Sequence, residues 1–152
     1  GFSINTPIAL YYMQGLNMTA AHGHAALFGV YGMLGIGLML FCLRGLSAGL
    51  GWSDSLLRPT FWLLNIGLSM MVFMSLVPAG VYQAHASITK GMWYARSAEV
   101  VHSGFMETMV WLRVPGDIVF AIGILTLSLF ALRLMRGKHE PRAGTGTVAA
   151  RA

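Results

Sequence analysis

From residue 60 to residue 82 the chain carries no charge at all, and stretches 17–43 and 117–134 are nearly as apolar. Each approaches the roughly 20 residues that a helix needs to cross a bilayer core. This feature constrains the fold more than any other. In hydrocarbon every backbone N–H and C=O must be satisfied within the segment, so a lone span of this length has to be helical. The sequence therefore predicts an all-α integral membrane protein with three transmembrane helices at about 17–43, 60–82 and 117–134. Composition agrees, with 56% hydrophobic and 10% charged residues, where a soluble domain carries about 25% charged.

The joints are readable. The Gly- and Ser-rich connection ends at Pro59, which suits the first turn of the second helix. Pro78 predicts a kink or an early stop. Within the longer connection 85–114, residues 97–114 read as an interfacial helix with Ser97 as N-cap and Trp111 at headgroup depth. That helix can run on into the third span with a bend at Pro115. Arg133, Arg136, Lys138, Arg142 and Arg151 follow the third span, and Arg44 and Arg58 flank the first connection. Lys90, Arg96 and Arg113 are diluted by Glu99, Glu107 and Asp117. The positive-inside rule then places the C-terminus in the cytoplasm, and the second connection on the periplasmic side.

The formal net charge of +5 is thus assigned to membrane edges. No stripe of basic and aromatic residues suits nucleic acid. Residues 136–152 are basic, rich in small residues and expected to be disordered. Cys42 has no internal disulfide partner and reads as a small buried hydrophobe. The chain opens GFSINTPIALYY, with neither Met nor a signal-peptide pattern, and reads as the tail of a longer polypeptide.

The first span holds two ionisable groups, His22 and His24, in AAHGHAALFGVYG. A helix turns about 100° per residue, so positions i and i+2 point about 200° apart. Two rings so placed cannot share one metal ion, which needs i,i+3 or i,i+4 spacing. Each needs its own partner, because an unpaired polar ring in hydrocarbon is costly. A hydrogen bond to a neighbouring helix would serve. So would the iron of a flat apolar cofactor on each face, since neutral imidazole is a common axial ligand. Small residues surround the pair, and Ala21, Ala25 and Gly29 follow one face at i,i+4 spacing, which permits close helix packing.

YYMQGLNMTAAHGHAALFGVYGMLGIGLMLFCLRGL, with SLVPAGVYQ and METMVWLRVPGD, resembles the C-terminal part of the respiratory nitric oxide reductases of the haem-copper oxidase superfamily. The wording is closer to the quinol-dependent branch. Residues 1–135 would then be the C-terminal transmembrane segment of the catalytic domain, in a bacterial inner membrane. The resemblance implies reduction of two nitric oxide molecules to nitrous oxide and water. It assigns His22 as proximal ligand of haem b3 and His24 as one axial ligand of haem b. It also implies a non-haem iron held by residues outside this chain, so that the fragment alone would be inactive. Its partners would be the remaining helices of the catalytic subunit, the lipid bilayer and quinol.

Asp117 matches an acidic residue beside which that branch oxidises quinol. Read from the sequence alone, it is equally a first-turn carboxylate favouring the helix dipole. Met109 and Trp111 could line such a pocket or simply pack. Arg113 is expected to snorkel to the headgroups, Glu99 and Glu107 to be solvated, and Met70, Met71 and Met74 to pack. Three other readings stay open, the plainest being a structural three-helix membrane fragment with no cofactor. Another is an oxygen-reducing oxidase of the same superfamily, although oxidases usually carry a bulky aromatic where Gly23 stands. The third is a haem-b electron-transfer anchor using His24 with His85.

Overall fold

The computed structural model describes residues 2–47 and 52–136. The described chain is helical, without strands, and three of its helices are long and apolar enough to cross a membrane: Asn17–Leu46, Asp54–Lys90 and Gly104–Arg136. Two short helices, Phe2–Asn5 and Pro7–Met13, lead in, the second started by its proline. The chain then turns at Gly15, whose φ of 71° favours glycine. A short helix at Ala98–Val101 precedes the third long one.

All three long helices extend past the expected spans. The second is the longest, and at about 1.5 Å per residue its 37 residues exceed a bilayer core of about 30 Å. Its far end stays ordered because other parts of the chain cover it. Leu16, Ala86 and Ala95 form a small apolar cluster there. Gln83 Oε1 accepts from both the backbone N–H and the side chain of Asn17, each at 2.9 Å.

Three expectations about helix ends are corrected. Pro59 lies inside its helix, not at its start, since the helix begins at Asp54. Pro78 does not stop the second helix, which continues to Lys90. The physical reason lies just upstream, where residues Met71–Leu76 form a π-type stretch and Val77 N–H reaches back five residues to Val72 O. Such a widened turn lets a helix pass a proline while its freed backbone groups are re-satisfied. Third, Asp117 is no first-turn carboxylate. The helix starts at Gly104 and takes in Pro115 and most of the expected interfacial segment. Ser97 does occupy the N-cap position of Ala98–Val101, but it makes no side-chain capping bond. The tail expected to be disordered lies outside the described residues from 137 on.

The second and third helices form the tight pair. A Cβ on Gly67 would sit 2.6 Å from Phe120 N, and one on Gly123 would sit 2.9 Å from Leu64 Cδ2. Backbones this close gain dispersion contacts that lipid tails cannot match. Thr60 Oγ1 donates to Thr126 Oγ1 at 2.9 Å, and Ser75 Oγ to Met109 O at 2.7 Å. The first long helix docks most closely near its start, where a Cβ on Gly80 would meet Met18 N at 2.6 Å, and touches the bundle again through Phe28 on Phe120 and Gly29 on Leu68. Beyond that it stands clear: none of its most apolar window is buried, against 39% for the second helix.

A second π-type stretch, His24–Gly32, lies within the first helix. The change of bonding at His24 rotates later residues out of α register. The small-residue stripe is therefore broken: Ala21 is buried, Ala25 is exposed, and Gly29 faces Leu68. Cys42 is exposed on the free part of this helix, which corrects its reading as a buried residue.

Gly67→Val should drive a side chain into the Phe120 backbone and cost about 1–3 kcal/mol or more, lowering the melting temperature of the purified subunit. Gly35→Ala, which meets nothing within 4 Å, should be tolerated. Equal melting temperatures for the two variants would contradict this packing.

Candidate functional site

His24 sits where the first helix changes from α to π bonding, with ordinary helical dihedrals (φ −62°, ψ −45°). Gly23 is also helical, so the Cα–Cβ directions of His22 and His24 diverge by about 200°. Their surroundings differ accordingly. His24 lines a cleft of about 590 Å³ with Phe28, Leu68, Met71, Asp117 and Phe120 among its other walls. His22 does not line it. It is half-buried on the segment that packs against Val77–Lys90, and it makes no hydrogen bond among the described residues.

The His24 ring is held at both nitrogens. Nδ1 lies 2.9 Å from Ala20 O, one turn back, and Nε2 lies 3.2 Å from an Arg113 Nη2. A carbonyl only accepts and a guanidinium only donates. The tautomer is therefore fixed: Nδ1 carries the hydrogen, and the Nε2 lone pair accepts from Arg113. This is the arrangement in which a histidine offers Nε2 to a metal while a backbone carbonyl orients the ring.

Arg113 does not snorkel to the headgroups as expected. It turns inward because two acceptors lie within reach. Its Nε is 3.4 Å from both Asp117 carboxylate oxygens, one helical turn on. The i,i+4 spacing of Arg113 and Asp117 is plain in the sequence. The link from Arg113 to His24 crosses 89 positions and has no local signal. Asp117 thus joins the His24 cleft through the third helix. Its side chain remains 47% exposed, so a molecule in the cleft can reach it.

The cleft walls are apolar. Phe28 and Phe120 meet edge to face at 4.7 Å, and Met71 is buried. Of the other candidates, Met109 lines a separate small chamber, and Trp111 is 74% exposed. His85 and His102 line no cleft with His24. Glu99 accepts from Tyr94 Oη at 2.8 Å near the surface, and Glu107 is exposed. Met74 is 45% exposed, so it is not a packing residue within the described chain. Among the described residues no group of three or more His, Cys, Asp or Glu side chains could hold a metal ion.

The chain is similar to known proteins. Residues 1–119 match the family described as cytochrome c and quinol oxidase polypeptide I. The chain is also 30% identical over 127 residues to a nitric oxide reductase subunit of Stutzerimonas stutzeri, a match covering 76% of this chain and 25% of that protein. The chain thus spans about a quarter of the length of the curated relative it matches. Three long apolar helices, two diverging histidines on the first of them, and a family match over most of the sequence agree. The chain is a multi-pass membrane protein that belongs to the cytochrome c and quinol oxidase polypeptide I family, the haem-copper oxidases.

Proposed function

We propose that this chain is the C-terminal part of the catalytic subunit of a membrane-bound nitric oxide reductase fed by quinol. The observation that carries the reading is the His24 ring, which lines an apolar cleft with Nδ1 fixed by Ala20 O and Nε2 left as the acceptor nitrogen. The likeness to a nitric oxide reductase subunit supports the choice of substrate within the family. The overall reaction would be 2 NO + 2 e⁻ + 2 H⁺ → N₂O + H₂O, in a bacterial inner membrane with the C-terminus on the cytoplasmic side.

Two b-type haems would flank the first helix, a reading supported on the His24 side by the apolar cleft. His24 Nε2 would be one axial ligand of haem b, and His22 the proximal ligand of haem b3. Gly23 between them leaves open space, since a Cβ there would meet nothing within 4 Å. When bound, the haems would supply electron storage and an iron for nitric oxide. The non-haem iron ligands and the second ligand of haem b would belong to helices outside this chain, so the fragment alone would be inactive.

The chain's own residues have separate tasks. Ala20 O holds the His24 tautomer and removes the ring's rotational freedom. Arg113 has to release His24 Nε2 when a ligand takes that lone pair, and it keeps a partner in Asp117 when it does. Phe28, Leu68 and Phe120 keep water from the His24 side of the cleft. Asp117 would receive a proton from a quinol hydroxyl, with Arg113 positioning the carboxylate.

Two measurements on the complete catalytic subunit test this. His24→Ala should remove the low-spin haem b spectrum while leaving a high-spin haem, and His22→Ala should do the reverse. If each variant keeps both haems, the ligand assignment is wrong. Asp117→Asn should retain both haems yet lower quinol-driven turnover by about 10²-fold or more, the usual weight of a positioned acid–base group. Its turnover with an artificial electron donor should be spared. Unchanged quinol-driven turnover would remove Asp117 from that role.

A further inference from the structure

Near the His24 cleft lies a second, smaller space of about 100 Å³, lined by residues of all three long helices. Its polar walls are Asn17, Ser75 and Arg113; Ala79, Met106 and Val110 are among the apolar ones. Arg113 lines this chamber and bonds His24, which lines the cleft.

The polar groups here are incompletely used. A guanidinium has five N–H donors. Within the described residues only Nε and Nη2 of Arg113 find partners, in Asp117 and His24. Asn17 spends its two donor groups on Gln83 Oε1, while its own side-chain carbonyl oxygen has no protein partner among the described residues. Ser75 Oγ donates to Met109 O and keeps lone pairs to accept. Unused donors thus stand on one wall and unused acceptors on the others. Polar groups left without a protein partner favour hydration, and nothing in the described chain fills the space between them.

We infer that this chamber is a water site. At about 30 Å³ per molecule it has room for about three waters, bridging Arg113 to Ser75 and Asn17. Asn17, held by Gln83, forms its lid toward the helix end. There Gln83 Nε2 reaches Ala95 O at 3.4 Å, the longest and weakest bond of the lid. The waters complete the hydrogen bonding of Arg113 and give the Arg113–Asp117 pair a hydrated path to that end of the bundle. They also give Arg113 somewhere to turn when His24 Nε2 is taken. The use of the path rests on the quinol reading above: two protons leave a quinol with its two electrons, and chamber waters would carry them from Asp117 to the aqueous phase. The presence of the water does not rest on that reading.

Silver ion, about as small as a water molecule and hydrophilic, is a suitable probe. A single cysteine is placed by Ser75→Cys in the complete catalytic subunit, in membranes, with Cys42 and any other cysteine replaced by serine. A control carries Leu129→Cys, on the exposed apolar surface of the third helix. After Ag⁺ treatment and denaturation, the chamber cysteine should have lost most of its maleimide labelling, while the surface cysteine of the control keeps it. Adding Asn17→Leu, which removes the lid's polar group, should restore labelling in the chamber. If Ser75→Cys fails to assemble, Ala79→Cys reports from the same space. Full labelling of the chamber cysteine after Ag⁺, or equal loss in the control, would overturn the water site. The outcome is independent of the electron donor, so it stands apart from the Asp117→Asn result.

Discussion

One imidazole held at both nitrogens organises the functional part of this chain. Ala20 O takes the Nδ1 hydrogen of His24, and Arg113 donates to Nε2. Each bond alone would satisfy half a ring. Together they fix the tautomer, the ring plane and the side of the helix from which a lone pair is offered. In a low-dielectric setting such a satisfied network is rigid, because breaking either bond leaves a polar atom without water to replace it. The first helix can therefore present His24 to its cleft without rearrangement of its own backbone.

The scaffold behind that ring is the second and third helices. Gly67 and Gly123 bring the two backbones into contact, and Thr60–Thr126 and Ser75–Met109 hydrogen bonds lock their register. This pair sets where Arg113 and Asp117 stand relative to His24. The first helix is different. It is anchored near Gly80 and then leaves the bundle with its most apolar window uncovered. A chain that spans about a quarter of its curated relative's length is expected to show such a surface, since helices outside this chain would border it.

Much of this was legible in the sequence, and the failures have physical causes. The three spans were readable because 20 apolar residues without a charge would be insoluble in almost any setting except lipid. Their ends were not, because residues such as Gln83 and Ala86 are neither strongly apolar nor charged. They are helical because Asn17, Leu16 and Ala95 cover them. Pro59 and Pro78 misled for a related reason. A proline forbids a local bond, but a starting turn upstream or a π-type stretch such as Met71–Leu76 can absorb it, and neither has a sequence signature here. His22 and His24 stood out as the only histidines, and the only Asp, Glu, Lys, Arg or His side chains, in the first span. That they diverge followed from helical rotation alone. Arg113 was misjudged because snorkelling is the usual behaviour of an arginine near a helix end. The acceptor that turns it inward lies on another helix, and no periodicity reports it.

Direct visualisation of the haem-loaded catalytic subunit, at a resolution that shows imidazole planes, tests the central claim most directly. Two separate irons should flank the first helix. His24 Nε2 should bond one of them with Nδ1 still on Ala20 O, His22 should bond the other, and Arg113 should be turned away from His24. A map with both rings on one ion, or with His24 still bonded to Arg113 and no iron beside it, would contradict this reading of the site.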